Sequence, residues 1–322
     1  MKNSILIVYH ANCIDGFTSA WVAFNALNTV EASVYTLAAD YSKASEQEIL
    51  VILEKYECED VYVVDYSLPV EFILSCLYTH PYLESITILD HHESAFKKYL
   101  GDDYDIDAHP VVSIHLAQKC SVYLDNTKCG ATLTWEYFNT DIPMPTLLTY
   151  VQDWDLHTMV RGLETCYVHE YLLSKPQHFH TWNDTAYLLD KHGQRESILT
   201  VGKALYTIKM KDIFPYVERA IPVQFKGYKG YFVSCPPTLA TSIGDAILVR
   251  PNAQLFICCT SIEEVKLGEE MTWSMRSRKD VNVATIAESY GGGGHKGAAG
   301  FRLSYDESRA LMHSFYEGDS VE

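Results

Sequence analysis

Apolar, β-branched runs alternate with amphipathic segments through the first third of the chain. The amphipathic segments predict helices over 17–28 and 45–56, the second with Ser45 as its N-cap and Glu48 completing a capping box. Continuous apolar strands separated by helices are typical of a parallel sheet that is covered on both faces. We therefore predict an α/β fold. The apolar runs predict strands at residues 4–10, 32–38, 60–65 and 85–90.

The pattern changes twice in the rest of the chain. Residues 130–173 are predicted to be mostly helical with a break at 141–145, and 185–217 form a long helical stretch. Beyond it, strand-like segments return at 230–234, 254–259 and 271–277, with helices at 243–249 and 283–290. Domains usually close at about 100–200 residues, so a chain of 322 residues predicts two. We predict a parallel-sheet α/β domain at 1–190, a helical linker at 191–221 and a smaller α/β domain at 222–322.

The charge of the chain limits its partners. It contains 25 Lys and Arg against 42 Asp and Glu, a formal net charge of −17. Proteins that bind long nucleic acid usually carry a basic surface and gain affinity by releasing counterions. We therefore expect no long nucleic acid as a partner, whereas a small anionic substrate attracted by metal ions is compatible with this charge.

Localisation and cysteine chemistry follow from simple patterns. No apolar run approaches the roughly 20 residues of a membrane helix, and the N-terminus leads straight into a predicted strand without a signal peptide. We expect a cytoplasmic protein with no membrane partner. The nine cysteines lack the spacing of a disulfide framework or zinc ribbon. Cys76, Cys258 and Cys259 lie in apolar stretches and are predicted to be small core residues.

Polar side chains follow three of the predicted strands at their carboxyl ends. His10, Asp65 and the Asp90-His91-His92 run occupy these ends, where open parallel sheets bind ligands. A lone Asp there more often caps a helix or forms a turn, but three successive strand ends favour a shared metal site. Asp15, Asp153 and Asp155 are further acidic candidates. Carboxylates with imidazoles favour Mn²⁺, with Mg²⁺ or Co²⁺ as alternatives, and two ions could neutralise the cluster and activate water.

These residues resemble the motifs of the DHH phosphoesterases. The match begins with Tyr9-His10-Ala-Asn-Cys13-Ile-Asp15-Gly16, continues with Val64-Asp65, and reaches Asp90-His91-His92 after an apolar strand. Near the other end, 273-WSMRSR-278 and 291-GGGGHKGAAGF-301 resemble the DHH-associated C-terminal substrate domain. Each motif alone is only suggestive, but the ordered set from residue 5 to about 303 is specific. The resemblance implies a catalytic domain at 1–190 and a substrate-binding domain at 222–322.

The resemblance also implies a ligand set for two metal ions. One ion would be held by His10 and the residue at 13, the other by Asp15 and His91, with Asp65 bridging both. A further aspartate from the fourth motif is assigned to Asp153, with Asp155 as the alternative. Cys13 departs from the family, which has an aspartate there. A thiolate is a softer ligand, so Cys13 either weakens this metal position or stands beside it.

Roles beyond metal binding follow from the same resemblance. His92 would face the scissile phosphate, while Asp90 would orient a neighbouring histidine or reach the metal, so both are assigned as catalytic. Glycines let backbone N–H groups approach an anion closely. The substrate-binding residues implied in the C-terminal domain are Arg276, Gly292, Gly293, Gly294 and His295.

The resemblance is greatest to the oligoribonuclease branch, which degrades nano-RNA. We expect an Mn²⁺-dependent phosphodiesterase, an exonuclease that hydrolyses short RNA oligonucleotides, with dinucleotides such as pGpG or pApA as substrates. Cyclic dinucleotides and 3′-phosphoadenosine 5′-phosphate are alternative substrates. A processive single-strand DNA exonuclease or a pyrophosphatase fits less well, and a nucleotide-sensing binding protein is the non-enzymatic alternative. Both a monomer and a homodimer stay open.

Overall fold

The computed structural model describes residues 3–191, 193–248, 250, 252–259, 270–278 and 281–321, without the side chain of residue 295. The chain divides into two compact units, Met1–Tyr206 and Thr207–Glu322. The division falls within a helix, Arg195–Arg219, that covers most of the predicted linker. The domain bounds given above stay a prediction. Among the described helices, none combines the length and apolar character needed to cross a bilayer.

The first unit contains a six-stranded sheet in the order β2-β1-β3-β4-β6-β5. Neighbouring strands are parallel, except that the edge strand β5 runs antiparallel to β6. The predicted α/β fold is therefore confirmed, with an antiparallel edge that the sequence did not reveal. That edge strand alternates exposed and half-buried residues, a weaker signal than a continuous apolar run. The strands are β1 (Asn3–His10), β2 (Ala32–Ala39), β3 (Asp60–Val64), β4 (Ser85–Asp90), β5 (Val111–Ala117) and β6 (Cys120–Asp125).

Helices accompany this sheet and supply the rest of the apolar core of the unit. One cluster of buried residues includes Leu6, Val63 and Phe96, and another includes Phe17, Trp182 and other helical residues. The helices are α1 (Ile14–Leu27), α2 (Lys43–Tyr56), α3 (Val70–Thr79), α4 (Glu93–Leu100), α5 (Gly130–Phe138), α6 (Thr146–Asp155), α7 (Leu163–Leu173), α8 (Phe179–Asp190) and α9 (Arg195–Arg219).

The prediction that Ser45 is the N-cap of α2 is wrong, because the N-cap is Ser42, about one turn earlier. The helix begins at Lys43, and the side chain of Ser42 accepts a hydrogen bond from the backbone N–H of Ser45. The hydroxyl of Ser45 instead donates to Asp40 Oδ1 at 2.7 Å. Both serines suit an N-cap position, so the sequence alone did not separate them.

The second unit contains a seven-stranded sheet in the order β11-β12-β10-β9-β8-β7-β13. Its pairs are antiparallel except β8–β9 and β7–β13. Phe232, Trp273 and Phe315 are buried in its core with Cys259, and Cys258 and Cys76 are also buried, which confirms the predicted cysteine environments. The elements are β7 (Ile221–Phe225), β8 (Tyr228–Ser234), α10 (Ala240–Leu248), β9 (Leu255–Cys259), β10 (Met271–Ser277), α11 (Val283–Glu288), β11 (Gly293–His295), β12 (Ala298–Leu303), α12 (Tyr305–Glu317) and β13 (Ser320–Val321).

Candidate metal centre

The centre of the first sheet places three polar strand ends side by side. Strands β1, β3 and β4 are parallel neighbours, with Tyr9 opposite Val64 and Val64 opposite Leu89. The residues that follow, His10, Asp65 and Asp90, therefore emerge at the same edge. Because the backbone of parallel strands ends in register there, residues distant in sequence meet.

The carboxylate of Asp65 lies between two histidines. Its Oδ2 is 3.7 Å from His10 Nδ1, and its Oδ1 is 3.1 Å from His91 Nε2. The same His91 nitrogen lies 3.7 Å from Asp15 Oδ2 and 3.6 Å from Asp155 Oδ2. Three overlapping groups of potential ligand atoms therefore surround Asp65 and His91. They are His10, Cys13 and Asp65; Asp65, His91 and His92; and Asp15, His91 and Asp155.

Four atoms of this cluster are buried without a hydrogen-bond partner in the part of the chain that the structure describes. They are Nδ1 of His10, Nε2 of His91 and both carboxylate oxygens of Asp65. Buried polar atoms are normally paired, because leaving one unpaired costs about 1–3 kcal/mol. Their convergence, and the mixture of carboxylate and imidazole donors, fit a cation site.

Local backbone geometry supports the placement of Asp65. Its φ is +54°, in the left-handed region that Asp tolerates better than most residues. Helix α5 starts directly against it: a Cβ at Gly130 would lie 2.6 Å from Asp65 Oδ1. The N-terminus of α5 also holds Asp15, whose carboxylate accepts hydrogen bonds from the N–H groups of Gly130 (2.6 Å) and Ala131 (2.9 Å). Both carboxylates are thus fixed by one helix terminus.

The surroundings shift the pKa values of Asp15 and Asp65 in opposite directions. Burial raises the pKa of Asp15, and the carboxylates of Asp65 and Asp155 raise it further. Burial also acts upward on Asp65, but the imidazoles of His10 and His91 outweigh it and hold that pKa well below its usual range. Carboxylates this close repel one another when ionised, and divalent cations among them would relieve that repulsion.

Asp90 positions the two histidines that follow it. Its Oδ1 accepts hydrogen bonds from the N–H of His91 at 2.7 Å and from Nδ1 of His92 at 2.7 Å, and its Oδ2 accepts from the hydroxyl of Ser67. Burial lowers the pKa of His92, but the charge of Asp90 and this hydrogen bond outweigh it and raise the pKa to about 9. The contacts of Asp90 indicate a positioning role.

The structure brings Asp155 to the cluster and keeps Asp153 out of it. Asp153 is the acceptor for the loop after α6: its carboxylate binds the hydroxyls of Thr158 (2.6 Å) and Thr165 and the N–H groups of Val160 (2.6 Å) and Arg161 (3.0 Å). These bonds occupy both of its oxygens. The structure thus brings to the cluster Asp155, the alternative that the sequence left open, and which of the two aspartates binds metal stays a prediction.

Cys13 lies within reach of the first ligand group. It is the N-cap residue of α1, and its Sγ is within 4.8 Å of ligand atoms of His10 and Asp65. Burial raises the pKa of the Cys13 thiol, and the charges of Asp65 and Asp15 raise it further. In these surroundings the thiol is protonated at neutral pH unless a cation displaces the proton.

A comparison with known family models finds a match in the second unit. The family model described as the DHHA1 domain matches residues 257–317, and the metal-competent cluster lies in the first unit of the same chain. This match supports the resemblance to the DHH phosphoesterases that the motifs indicated. The predicted DHH-associated C-terminal domain is thereby confirmed.

The other similar proteins are distant from this chain in sequence. An uncharacterized protein of Acanthamoeba polyphaga mimivirus is 24% identical over 318 residues, covering 94% of this chain and 70% of that protein. A pGpG-specific phosphodiesterase from Vibrio cholerae has a TM-score of 0.50 at 10% identity, covering 98% of this chain and 100% of that one. RecJ from Thermus thermophilus, in complex with Mn²⁺, has a TM-score of 0.50 at 12% identity, covering 99% and 53% respectively. These structures are similar in fold.

The second unit holds the residues that are predicted to bind substrate. The guanidinium of Arg276 donates to Thr241 Oγ1 at 2.8 Å. A Cβ at Gly292 would lie 2.2 Å from the carbonyl oxygen of Gly300, and Gly294 has a φ of +146°, so both positions need glycine. Gly293 has open space on its Cβ side. His295 ends β11, but its side chain lies outside the described part of the structure, and contacts of this loop with substrate stay a prediction.

Sequence reasoning missed the groups that hold the cluster in place. Gly130 and Asn126 follow β6, a strand that was not predicted, so their place at the same sheet edge went unnoticed. The side chain of Asn126 donates to the carbonyl of His91 at 3.0 Å. Lys98 donates to the carbonyl of Ser67 at 2.6 Å, beside the hydroxyl that binds Asp90. Recognition of a strand at 120–125 in the sequence would have indicated that Asn126 and Gly130 lie at this sheet edge.

Proposed function

We propose that this chain is a metal-dependent phosphodiesterase that hydrolyses short oligoribonucleotides, with linear dinucleotides as its main substrates. The observation that carries the proposal is the set of buried, unpaired ligand atoms on His10, Asp65 and His91. Metal centres built from carboxylates and imidazoles favour hard or borderline ions, and Mn²⁺ suits this donor set. The manganese complex of the similarly folded RecJ supports the same choice.

The ligand roles follow from the side chains on the two sides of Asp65. Its Oδ2 faces His10 and its Oδ1 faces His91, so we propose that it bridges two ions. His10 and Cys13 complete one position, while Asp15, His91 and Asp155 complete the other. Bound ions would supply Lewis acidity toward a phosphate oxygen and lower the pKa of the attacking water.

The remaining residues of the cluster act through protons and position. Asp90 accepts a hydrogen bond from the Nδ1–H group of His92. This bond keeps a proton on Nδ1 and directs the opposite edge of the ring away from Asp90. We propose that this edge faces the scissile phosphate and donates a proton or a hydrogen bond to it. The raised pKa of His92 keeps a proton available for that purpose at neutral pH.

The substrate class rests on charge and fold. An acidic chain repels long polyanions but tolerates a short one held at a metal centre. The fold similarity to a pGpG-specific phosphodiesterase supports a dinucleotide. In the second unit we propose that Arg276 and the backbone of Gly292, Gly293 and Gly294 bind substrate phosphate, with His295 as an added donor.

The test is a hydrolysis panel supplemented with Mn²⁺, with products read by mass. It contains linear di- to pentanucleotides, cyclic dinucleotides and 3′-phosphoadenosine 5′-phosphate. We expect mononucleotide products, fastest from dinucleotides, and loss of turnover in the Asp65→Ala variant. Asp184→Ala, which removes an exposed carboxylate on α8, is the matched control and should keep full activity. Hydrolysis that persists in Asp65→Ala would refute the metal centre, and products only from another substrate class would refute the dinucleotide.

A further inference from the structure

A cavity adjoins the candidate metal centre within the first unit. Three of its lining residues, Cys13, Asp15 and Asp155, belong to the proposed ligand set. Its volume is about 80 Å³, well above the roughly 10–15 Å³ that a single water needs. Because the two share these residues, a group of a molecule bound at the metal centre has room to extend into this cavity.

The rest of the cavity wall is apolar and aromatic. It is formed by Ile14 of α1 and by residues of α6 and α7, including Tyr150, Trp154, His169 and Leu172. The rings of Trp154 and His169 stack, with centroids 3.8 Å apart and an angle of 15° between their planes. Such a wall offers dispersion contacts to a flat, weakly polar ring.

The aromatic side chains of the wall are held firmly. Asp153 fixes the loop after α6 through hydrogen bonds to Thr158 and to the N–H groups of Val160 and Arg161. The hydroxyl of Tyr150 donates to Glu164 at 2.9 Å, and the guanidinium of Arg161 lies 4.9 Å from the Tyr150 ring. A rigid aromatic wall binds a ring with little loss of side-chain entropy.

We infer that this cavity binds the nucleobase of the nucleotide whose phosphate lies at the metal centre, with Trp154 and His169 as its substrate-binding side chains. The inference rests on the proposed phosphodiesterase function. Within the segment Asp153-Trp154-Asp155, the three residues then have three roles. Asp153 holds the loop, Trp154 binds the base, and Asp155 binds metal.

The test compares pApA with analogues that lack either the 5′ or the 3′ base. Trp154→Leu is expected to lower kcat/KM for pApA by about 10–100-fold, the usual effect of removing one aromatic stacking partner. With the analogue lacking the base that enters the cavity, Trp154→Leu and the unaltered enzyme should agree within about 2-fold. Equal losses on pApA and on both analogues would overturn the inference, because they would indicate a general structural defect.

Two further variants separate base binding from folding. Trp154→Phe keeps an aromatic ring and should retain most of kcat/KM, while Tyr78→Leu removes an aromatic side chain that is 90% exposed on α3 and should change nothing. Thermal unfolding midpoints of all variants are compared. If Trp154→Phe and Trp154→Leu lose activity equally, the aromatic role is refuted.

A binding measurement keeps this inference distinct from the proposed function. Adenosine 5′-monophosphate and ribose 5-phosphate are titrated calorimetrically into the protein with Mn²⁺ present. We expect the nucleotide to bind about 10-fold or more tightly than the sugar phosphate, and Trp154→Leu to abolish the difference. This result would support the cavity even if no dinucleotide were hydrolysed. Equal affinities in the unaltered protein would refute the cavity even if dinucleotides were hydrolysed.

Discussion

Asp153 and Asp155 show how two identical side chains, two residues apart, take different tasks. On a helix they lie about 200° apart around the axis, so they face different surroundings. Asp153 is 5% exposed and bound by loop donors, whereas Asp155 lies against His91. The difference depends on the loop that follows, because its N–H groups donate hydrogen bonds to the carboxylate of Asp153.

Substituting each of these aspartates separates the two roles. Asp155→Asn should weaken Mn²⁺ binding by at least about 10-fold, since ligand removal typically costs more than changes in surrounding groups. Asp153→Asn should leave Mn²⁺ affinity within about 3-fold but lower the free energy of unfolding by about 2 kcal/mol, through loss of charged hydrogen bonds. Calorimetric titration and denaturant unfolding measure the two quantities. The opposite pattern would return the ligand role to Asp153.

The stabilising effect of Asp153 should depend on pH. Burial raises its pKa, but the hydrogen bonds from Thr158 and Thr165 outweigh burial and hold the pKa below its ordinary value of 3.8. A lowered folded pKa means that the stabilisation is present above about pH 4 and is lost as pH falls through the folded value. The difference in unfolding free energy between the unaltered protein and Asp153→Asn should therefore shrink below pH 4. A constant difference from pH 3 to pH 7 would contradict this account.

A ligand role for Cys13 would make metal binding depend on pH in a way that can be measured. Its thiol has a raised pKa, so binding Mn²⁺ through sulfur must release a proton. In the unaltered protein, we expect Mn²⁺ affinity to rise with pH between pH 6 and pH 8, by up to about 10-fold per pH unit. In Cys13→Asp the rise should be less steep. Cys13→Asp should also bind Mn²⁺ more tightly, because a carboxylate is the harder ligand. If calorimetric titrations show the same dependence of Mn²⁺ affinity on pH in both proteins, Cys13 is not a metal ligand.

At the scale of elements, the start of α5 controls two carboxylates at once. Gly130→Ala would place a methyl group 2.6 Å from Asp65 Oδ1, so either the helix or the carboxylate must move. We expect both a lower unfolding free energy, by about 1–3 kcal/mol, and at least about 10-fold weaker Mn²⁺ binding. Gly297→Ala is the control, because its Cβ would meet nothing closer than 3.9 Å. A Gly130→Ala variant with unchanged Mn²⁺ affinity would show that α5 does not position the ligands.

The sequence predicted the elements whose signals are local. Strands β1, β3 and β4 are continuous apolar runs that end in polar residues, so both the strands and the edge at which His10, Asp65 and Asp90 meet could be inferred. Their parallel pairing also follows from the intervening helices. Those signals lie within a few residues of each other along the chain.

Other features depend on contacts between distant residues. Asp15 and the N–H of Gly130 are 115 residues apart, and no pattern near either residue predicts their hydrogen bond. The different surroundings of Asp153 and Asp155 likewise depend on the folded loop. The N-cap of α2 is Ser42 and not Ser45, because the helix begins earlier than the sequence pattern predicted. Such pairings are set by tertiary packing, which periodicity does not encode.

For the whole molecule, the net charge of −17 gives a prediction about substrate length. Proteins that bind long RNA lose affinity steeply as salt rises, because binding releases counterions. A polyanion that is repelled lacks this dependence. We expect a labelled 20-nucleotide RNA to show no saturable binding below about 100 μM at 50 mM salt. An excess of that RNA should not inhibit dinucleotide hydrolysis.

Fluorescence anisotropy at 50 and 200 mM salt measures this directly, with a basic RNA-binding domain as the positive control. For the control, affinity should fall by orders of magnitude between the two salt concentrations. For the acidic chain, the anisotropy of the RNA should stay flat at both, because added salt only screens a repulsion. Tight binding with a steep fall in salt would show that a local basic surface overrides the net charge, and it would contradict the proposed restriction to short substrates.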